Sequence, residues 1–263
     1  SDRAFEEEVM LSGFGQAPVK SEGAAVSFDT ANEAYTARYT HETIALAFAI
    51  TEEAVEDNLY DRLSTRYTRA LARSMSNTKE VKGANILNNA FDSTFTFGDG
   101  KELCATDHPT VGGGNFRNEL TTSADLNETS LEQSLIDIAA FIDERGLLVA
   151  VQGRKLVIPP ALQFVADRLM ASTLRPGTAD NDINAIRNMG MLADGYTVNH
   201  YLTDTDAFFI KTDAPNGFKH FERSPVKTSM EGDFDTGNVR YKARERYSFG
   251  VSDPRCVFGS PGA

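Results

Sequence analysis

The chain has 263 residues, 41% of them hydrophobic and 24% charged, and its formal net charge is −12. This acidity disfavours a nucleic-acid-binding protein, which normally shows a basic patch and a high pI. The sequence has no run of the roughly 20 apolar residues that a membrane helix needs, and two cysteines are too few for a disulfide framework. The composition therefore predicts an ordinary globular protein in a reducing compartment, without a membrane segment.

The first 43 residues predict an arm and then a β-hairpin that the chain cannot cover by itself. β-branched and aromatic residues between Glu22 and Ile44 favour strands around a polar turn, yet large aliphatic residues are scarce there. A polar two-stranded hairpin is marginal alone in water, so we expect it to lie on a neighbouring subunit. Acidic side chains that could reach that neighbour are Glu6, Glu7, Glu8 and Glu22.

A long helix is predicted over residues 51–91, with Thr51 as its N-cap and a weak point at Ser76-Asn77. One face is apolar, with helical spacing of Val55, Leu59, Leu63, Tyr67, Leu71 and Met75. A second face carries an arginine stripe formed by Arg62, Arg66, Arg69 and Arg73. The stripe is interpreted either as a solvated face or as a seam that receives acidic groups of a neighbouring subunit.

Between residues 128 and 222 the pattern alternates between helices and strands and predicts a compact α+β lobe. Its first helix is expected to start at Thr129 or Ser130 and to stop at Gly146. Short strands are predicted at residues 147–151, 155–158, 196–201 and 207–210, with a second helix after Pro159-Pro160.

From Val239 onward the chain alternates between apolar and basic residues, which predicts a β-strand. The basic side chains that share one face are Arg240, Lys242, Arg244 and Arg246. A strand with four cations on one side is expected at a sheet edge or at an interface that supplies acid. Phosphate contact is a third interpretation.

Motifs for catalysis are weak. The glycines at 98–100 and 112–114 match neither a phosphate-binding loop nor a dinucleotide fingerprint. Cys104 and His108 could be a nucleophile and its base, or half of a metal site, but no second pair completes a tetrahedral set. We expect no enzyme activity, no cofactor and no metal.

Several strings in this order resemble major capsid proteins of tailed bacteriophages with the Hong Kong 97-like fold, and in particular the Mu-type major head subunit subgroup. The strings are Tyr39-Thr-His-Glu-Thr43, Ile50-Thr-Glu-Glu-Ala-Val-Glu-Asp-Asn-Leu-Tyr60, Leu103-Cys-Ala-Thr-Asp-His-Pro109, Ser172-Thr-Leu-Arg-Pro-Gly-Thr178 with Asn181-Asp-Ile-Asn184, and Asp233-Phe-Asp-Thr-Gly-Asn-Val-Arg-Tyr-Lys-Ala-Arg-Glu-Arg-Tyr247. The resemblance covers most of the chain from about Glu22 to Gly259.

The resemblance implies an α+β fold with an N-arm at 1–21 and an extended β-hairpin loop at 22–43. It also implies a peripheral domain at 44–127 and 223–263, which includes a spine helix at 51–91, and an inserted axial domain at 128–222. The implied function is a structural capsid protein that self-assembles into pentamers and hexamers of an icosahedral shell. That shell would form in the host cytoplasm with a scaffolding protein, a portal and a decoration protein, and would enclose double-stranded DNA without sequence-specific binding.

Two alternatives stay open at this point. An encapsulin-like nanocompartment shares the fold and holds enzyme cargo instead of a genome. A small cytosolic hydrolase would instead use Cys104 or a pair of aspartates.

Overall fold

A computed structural model describes residues 2–57, 60–175 and 182–263, with the backbone alone described at residues 60–63. The strands are β1 (Phe5–Leu11), β2 (Glu33–Thr40), β3 (Glu42–Ile50), β4 (His108–Pro109), β5 (Asn115–Phe116), β6 (Gly153–Ile158), β7 (Tyr196–Val198), β8 (Phe208–Thr212), β9 (Phe218–Gly232), β10 (Val239–Val251) and β11 (Val257–Ser260). The α-helices are α1 (Glu52–Glu56), α2 (Tyr60–Asn88), α3 (Glu128–Ala139), α4 (Gln163–Ala171) and α5 (Ala185–Met189). None of the described helices is both long enough and apolar enough to span a bilayer.

The chain divides into two compact units. The first, called unit 1, comprises the segment ending at Glu6, Arg38–Gly83 and His220–Gly250. Its centre is an antiparallel sheet in the order β3-β10-β9, packed on α2 through Leu71, Met75 and Ala243.

The second, called unit 2, comprises Glu7–Ala37, Ala84–Lys219 and Val251–Ala263. Its sheet has the order β11-β8-β6-β7, with β6 and β7 parallel and the other neighbours antiparallel. The largest core surrounds this sheet and α3, with Leu131, Ile138, Phe208 and Phe258 fully buried. The predicted peripheral and axial domains concern packing around the axes of a shell, so that division stays a prediction.

The predicted hairpin over residues 22–43 is wrong in its pairing. The strand that pairs with β2 is β1, and residues 12–32 between them form no described strand. A β-strand partner is chosen by contacts distant in sequence, so the local propensity around Val26 and Phe28 could not identify it. Part of the predicted extended arm is therefore a strand.

The long helix is confirmed in part. Thr51 caps α1, since its Oγ1 accepts a hydrogen bond from the Ala54 backbone at 3.4 Å. α1 ends at Glu56, and α2 starts at Tyr60, so the break falls there and not at Ser76-Asn77. Serine and asparagine lower helix propensity by only about 0.5 kcal/mol, and the burial of Leu71 and Met75 outweighs that cost.

The first helix of the predicted lobe begins earlier than expected. The N-cap of α3 is Asn127, whose Oδ1 accepts from the Ser130 backbone at 2.9 Å while Ser130 Oγ accepts from the Asn127 backbone at 3.0 Å. α3 ends at Ala139 and not at Gly146, because Asp143 closes a turn by accepting from the Leu147 backbone at 2.8 Å. The strand predicted at residues 147–151 is reduced to one bridge between Ile142 and Leu148.

Candidate inter-subunit surfaces

The alternation predicted from Val239 is confirmed in β10, but its placement at a sheet edge is wrong. β10 is the central strand, with β3 on one side and β9 on the other. Its four cations lie opposite small residues of β3: Arg240 opposite Ala49, Lys242 opposite Ala47, Arg244 opposite Ala45 and Arg246 opposite Thr43. Because directly opposed residues share a face, the long basic side chains extend over a floor of small ones.

The other face of the same sheet packs on α2. Phe48 stacks on Tyr241 with ring centroids 5.0 Å apart and meets Tyr67 edge-on at 5.6 Å. Glu245, which interrupts the apolar residues of β10, is buried and lies 3.8 Å from the Lys79 ammonium group. This packing leaves the basic face of β10 turned away from the helix.

A basic depression of about 370 Å³ lies on that face and is named here the cationic trough. β9 completes it with two further cations, which the sequence pattern did not identify. Its lining residues are Arg223, Ser224, Lys227, Thr228, Ser229, Lys242, Arg244 and Arg246. Five cations and three hydroxyl groups line the trough, and no carboxylate does.

One of these charges is paired within unit 1, since Arg223 lies 3.4 Å from the Asp2 carboxylate, whereas the ion pairs between described residues include none of the other four cations. Arg246 Nε is buried and has no hydrogen-bond partner among the described residues. Burial lowers the pKa of the adjacent His41 imidazole, and Arg246 and Arg223 lower it further while Glu6 raises it. Arg240 differs, since it pairs with Asp233 at the turn between β9 and β10 and does not line the trough.

The arginine stripe of the long helix is exposed. Arg66, Arg69 and Arg73 lie on the solvent side of α2, and no ion pair joins them to another described residue. The side chain of Arg62 lies outside the described residues. Unit 1 therefore presents basic groups on both its outer faces, the helix face and the sheet face.

The acidic candidates differ in their surroundings. Glu6 Oε1 lies 3.9 Å from His41 Nε2, and Glu8 lies 3.4 Å from the Lys219 ammonium and accepts from Ser252 Oγ. Glu7 and Glu22 are exposed. The roles of all four glutamates between subunits stay predictions, and Glu6 and Glu8 already have partners within the chain.

Residues 12–32 form a loop, named here the projecting loop, whose apolar side chains find little cover. Val19 is 99% and Phe28 98% exposed. Its two ends are joined by a backbone hydrogen bond from Ser12 to Asn32 of 2.9 Å, and Asp29 accepts from Gly15 at 2.8 Å and from Arg145 at 3.1 Å. Those bonds lower the pKa of the Asp29 carboxyl group, with the Gly15 backbone as the largest cause. The loop is thus held at its base, and its apolar residues face solvent.

A model of the phage capsid protein family matches residues 34–259 of the sequence. The chain belongs to this family. Among curated proteins, none matches the sequence.

Solved capsid structures match the fold over nearly the whole capsid chain. The capsid of Myoviridae phage XM1 matches with a TM-score of 0.58 at 10% identity, over 99% of this chain and 86% of that chain. The capsid of an empty GTA particle matches with a TM-score of 0.60 at 12% identity, over 98% and 84%. The Mycobacterium phage Adephagia structure matches with a TM-score of 0.56 at 11% identity, over 100% and 86%. These likenesses confirm the predicted capsid fold. As a member of the phage capsid protein family, the protein is a shell-forming structural protein of a phage virion.

The family favours a phage shell over the encapsulin-like alternative, and the surroundings of Cys104 disfavour the hydrolase. Burial raises the pKa of the Cys104 thiol well above its ordinary value, which suppresses the nucleophilic thiolate. His108 is fully buried, with its ring nitrogens 2.6 Å from Asp99 and 2.9 Å from Asn118. The described residues contain no group of three or more His, Cys, Asp or Glu side chains that could hold a metal ion.

Proposed function

We propose that this capsid chain assembles into pentamers and hexamers of an icosahedral shell that encloses double-stranded phage DNA. Assembly takes place in the host cytoplasm with a scaffolding protein, a portal and a decoration protein, and the chain is of the Mu-type major head subunit subgroup. The observation that carries the proposal is the likeness to capsid structures over 98–100% of the chain.

Contacts between subunits, in this proposal, use the surfaces that one chain leaves uncovered. The projecting loop lies on the adjacent subunit, and acidic groups such as Glu22 meet the cationic trough or the arginine stripe. The acidic or apolar surface of one subunit then contacts a different, basic surface of the neighbouring subunit. Such a heterologous contact generates rings when the rotation closes, which is what five- and six-membered clusters require.

Electron microscopy of the expressed chain, alone and with its scaffolding protein, tests the proposal. We expect closed particles of uniform size whose averaged images show five- and six-fold clusters. A chain that stays monomeric at every concentration, in size-exclusion chromatography with the scaffolding protein present, would contradict the proposal.

Two further observations separate the proposal from its alternatives. Particles isolated from infected cells should protect double-stranded DNA from nuclease, whereas an enzyme cargo would favour a nanocompartment. The substitution Cys104→Ser should leave particle formation unchanged, because the buried thiol has no role in assembly.

A further inference from the structure

The two edges of the sheet in unit 1 differ in their protection. β9 forms one edge and carries Pro225 together with the cations Arg223 and Lys227, which are common defences against pairing with another strand. β3 forms the other edge, and its residues 43–50 contain no charge, proline or glycine. No described strand of the chain pairs with that edge of β3. A long apolar edge of this kind is normally covered by another chain.

The surfaces beside this edge are also incompletely covered. On the side facing α2, Leu46 is 47% and Tyr67 45% exposed, although both lie next to the packed Phe48. On the opposite side the residues beside the trough are small and exposed: Ala45, Ala47 and Ala49. A strand added to this edge of β3 would therefore contact exposed apolar side chains on the face towards α2. On the opposite face it would meet only small side chains.

The projecting loop contains one segment suited to this place. Residues 24–28, Ala-Ala-Val-Ser-Phe, lack glycine, proline and charge and would span about 17 Å as a strand. The stretch around Val19, by contrast, is interrupted by Gly13, Gly15 and Pro18. Val26 and Phe28 alternate with Ala25 and Ser27, so an extended segment has one large apolar face and one small face.

We propose that residues 24–28 of one copy pair as a β-strand with the free edge of β3 in a second copy. Val26 and Phe28 then cover Leu46 and Tyr67 of that copy, while Ser27 lies on the side of the small alanines. Main-chain hydrogen bonds supply affinity and the alternating side chains fix the register, as in other cases of strand addition. The inference rests on the proposed shell, since it names the segment and the edge through which copies join.

Engineered cysteines test the pairing in assembled particles. Directly opposed residues of paired strands have Cα atoms about 4.5–5.5 Å apart, within the range that a disulfide bridges. Ser27→Cys is combined in one chain with Ala45→Cys, Ala47→Cys or Ala49→Cys, so that three registers are sampled. The native Cys104 and Cys256 are both buried, so neither competes for oxidation.

One of the three pairs is expected to give a ladder of covalently linked copies on a non-reducing gel, with at least half of the chains linked. Ser27→Cys with Arg154→Cys, placed at an exposed position of β6 in unit 2, is the matched control and should give no ladder. Hydrogen exchange of peptides covering residues 22–30 and 42–50 should slow at least tenfold upon assembly.

The results distinguish this inference from the shell proposal itself. Suppose that the wild-type chain and the cysteine variants form closed particles. If no cysteine pair then forms a disulfide, and the amides of residues 42–50 exchange as fast in particles as in free chains, the strand pairing is wrong and the proposed shell is unaffected. If the wild-type chain forms no particles with its scaffolding protein, the proposed function fails first. As a further readout, Phe28→Asp should lower particle yield at least tenfold, whereas Val19→Asp in the same loop should change it less than twofold.

Discussion

The buried Asn118 side chain joins several segments of unit 2. Its Nδ2 donates to the carbonyl oxygens of Leu103, Pro254 and Val257, at 2.7, 2.9 and 3.1 Å. The Oδ1 atom accepts from the Ala105 backbone at 2.9 Å, so the amide has a single orientation and also accepts from His108. The other ring nitrogen of His108, Nδ1, lies 2.6 Å from Asp99 Oδ2. His108, which with Cys104 was a candidate for a catalytic or metal site, therefore has a structural role.

The neighbouring Glu119 provides a pH-dependent test of this region. Burial, with a smaller contribution from the charge of Glu102, raises the pKa of its carboxyl group from 4.5 to about 7, while His108 opposes the shift. The folded chain therefore holds this proton more tightly than the unfolded chain does. The resulting stabilisation is complete below about pH 4.5 and is lost as the pH rises through 7.

Replacing Glu119 by Gln removes this dependence. We expect Glu119→Gln to raise the free energy of unfolding by about 1 kcal/mol at pH 8.5 and to leave it nearly unchanged at pH 4.5. Urea titrations of the unassembled chain at the two pH values measure the difference. Glu33→Gln, at an exposed position, controls for the lost charge. An equal effect of Glu119→Gln at both pH values would show that its carboxyl group is not desolvated.

At the scale of elements, β10 depends on close contact with β2. Gly250 lies against the ring of buried Tyr39, which in turn lies 5.1 Å from the ring of Phe221 on β9. A Cβ atom at position 250 would overlap the Tyr39 ring. The ring has no room to move, because it is buried among these strands.

Gly250→Ala is therefore expected to destabilise the chain by about 1–3 kcal/mol through overpacking. Gly232→Ala is the matched control, since nothing lies within 4 Å of its Cβ position at the end of β9. It should be neutral or stabilise slightly by restricting the unfolded chain. The shift of the thermal midpoint measures both variants, and equal midpoints would contradict the tight packing at Gly250.

The sequence predicted those elements whose pattern is local. Alternation identified β10 and its basic face, and helical spacing identified α2 with its buried Leu71 and Met75. The pairing of β1 with β2 could not be predicted, because it joins segments separated by a 21-residue loop. β9 was missed because Pro225 argues against a strand, although an edge strand tolerates proline. The cationic trough is lined by residues of both β9 and β10, so only its basic residues on β10 could be predicted from the sequence.

At the scale of the whole molecule, charge is divided unequally. The residues of unit 1 include 14 basic and 14 acidic side chains, whereas those of unit 2 include 12 basic and 24 acidic ones. The net charge of −12 thus belongs entirely to unit 2, and unit 1 concentrates its cations in the trough and the arginine stripe. A chain with this asymmetry complements a second copy of itself in a head-to-tail contact, which suits a heterologous lattice.

This asymmetry predicts that reversing charge in the trough prevents assembly. Lys242→Glu combined with Arg244→Glu places two carboxylates among the cations that should receive a neighbour's acidic groups. We expect particle yield at about 0.1 M salt, where the Debye length is about 10 Å, to fall at least tenfold in light scattering and electron microscopy. Because both side chains are exposed on the trough face, the far-UV circular dichroism and the thermal midpoint of the free chain should not change.

The matched control makes the same change of charge in unit 2. Arg154→Glu with Lys211→Glu replaces two positive charges by two negative ones, a net change of −4, at exposed positions outside the trough. This variant should assemble to within twofold of the wild-type yield. The neutral pair Lys242→Gln and Arg244→Gln should assemble weakly and depend less on salt than the wild type, because fewer ion pairs remain to be screened. If both reversals lowered the yield equally, general repulsion between acidic chains would explain the loss, and the trough would have no specific role.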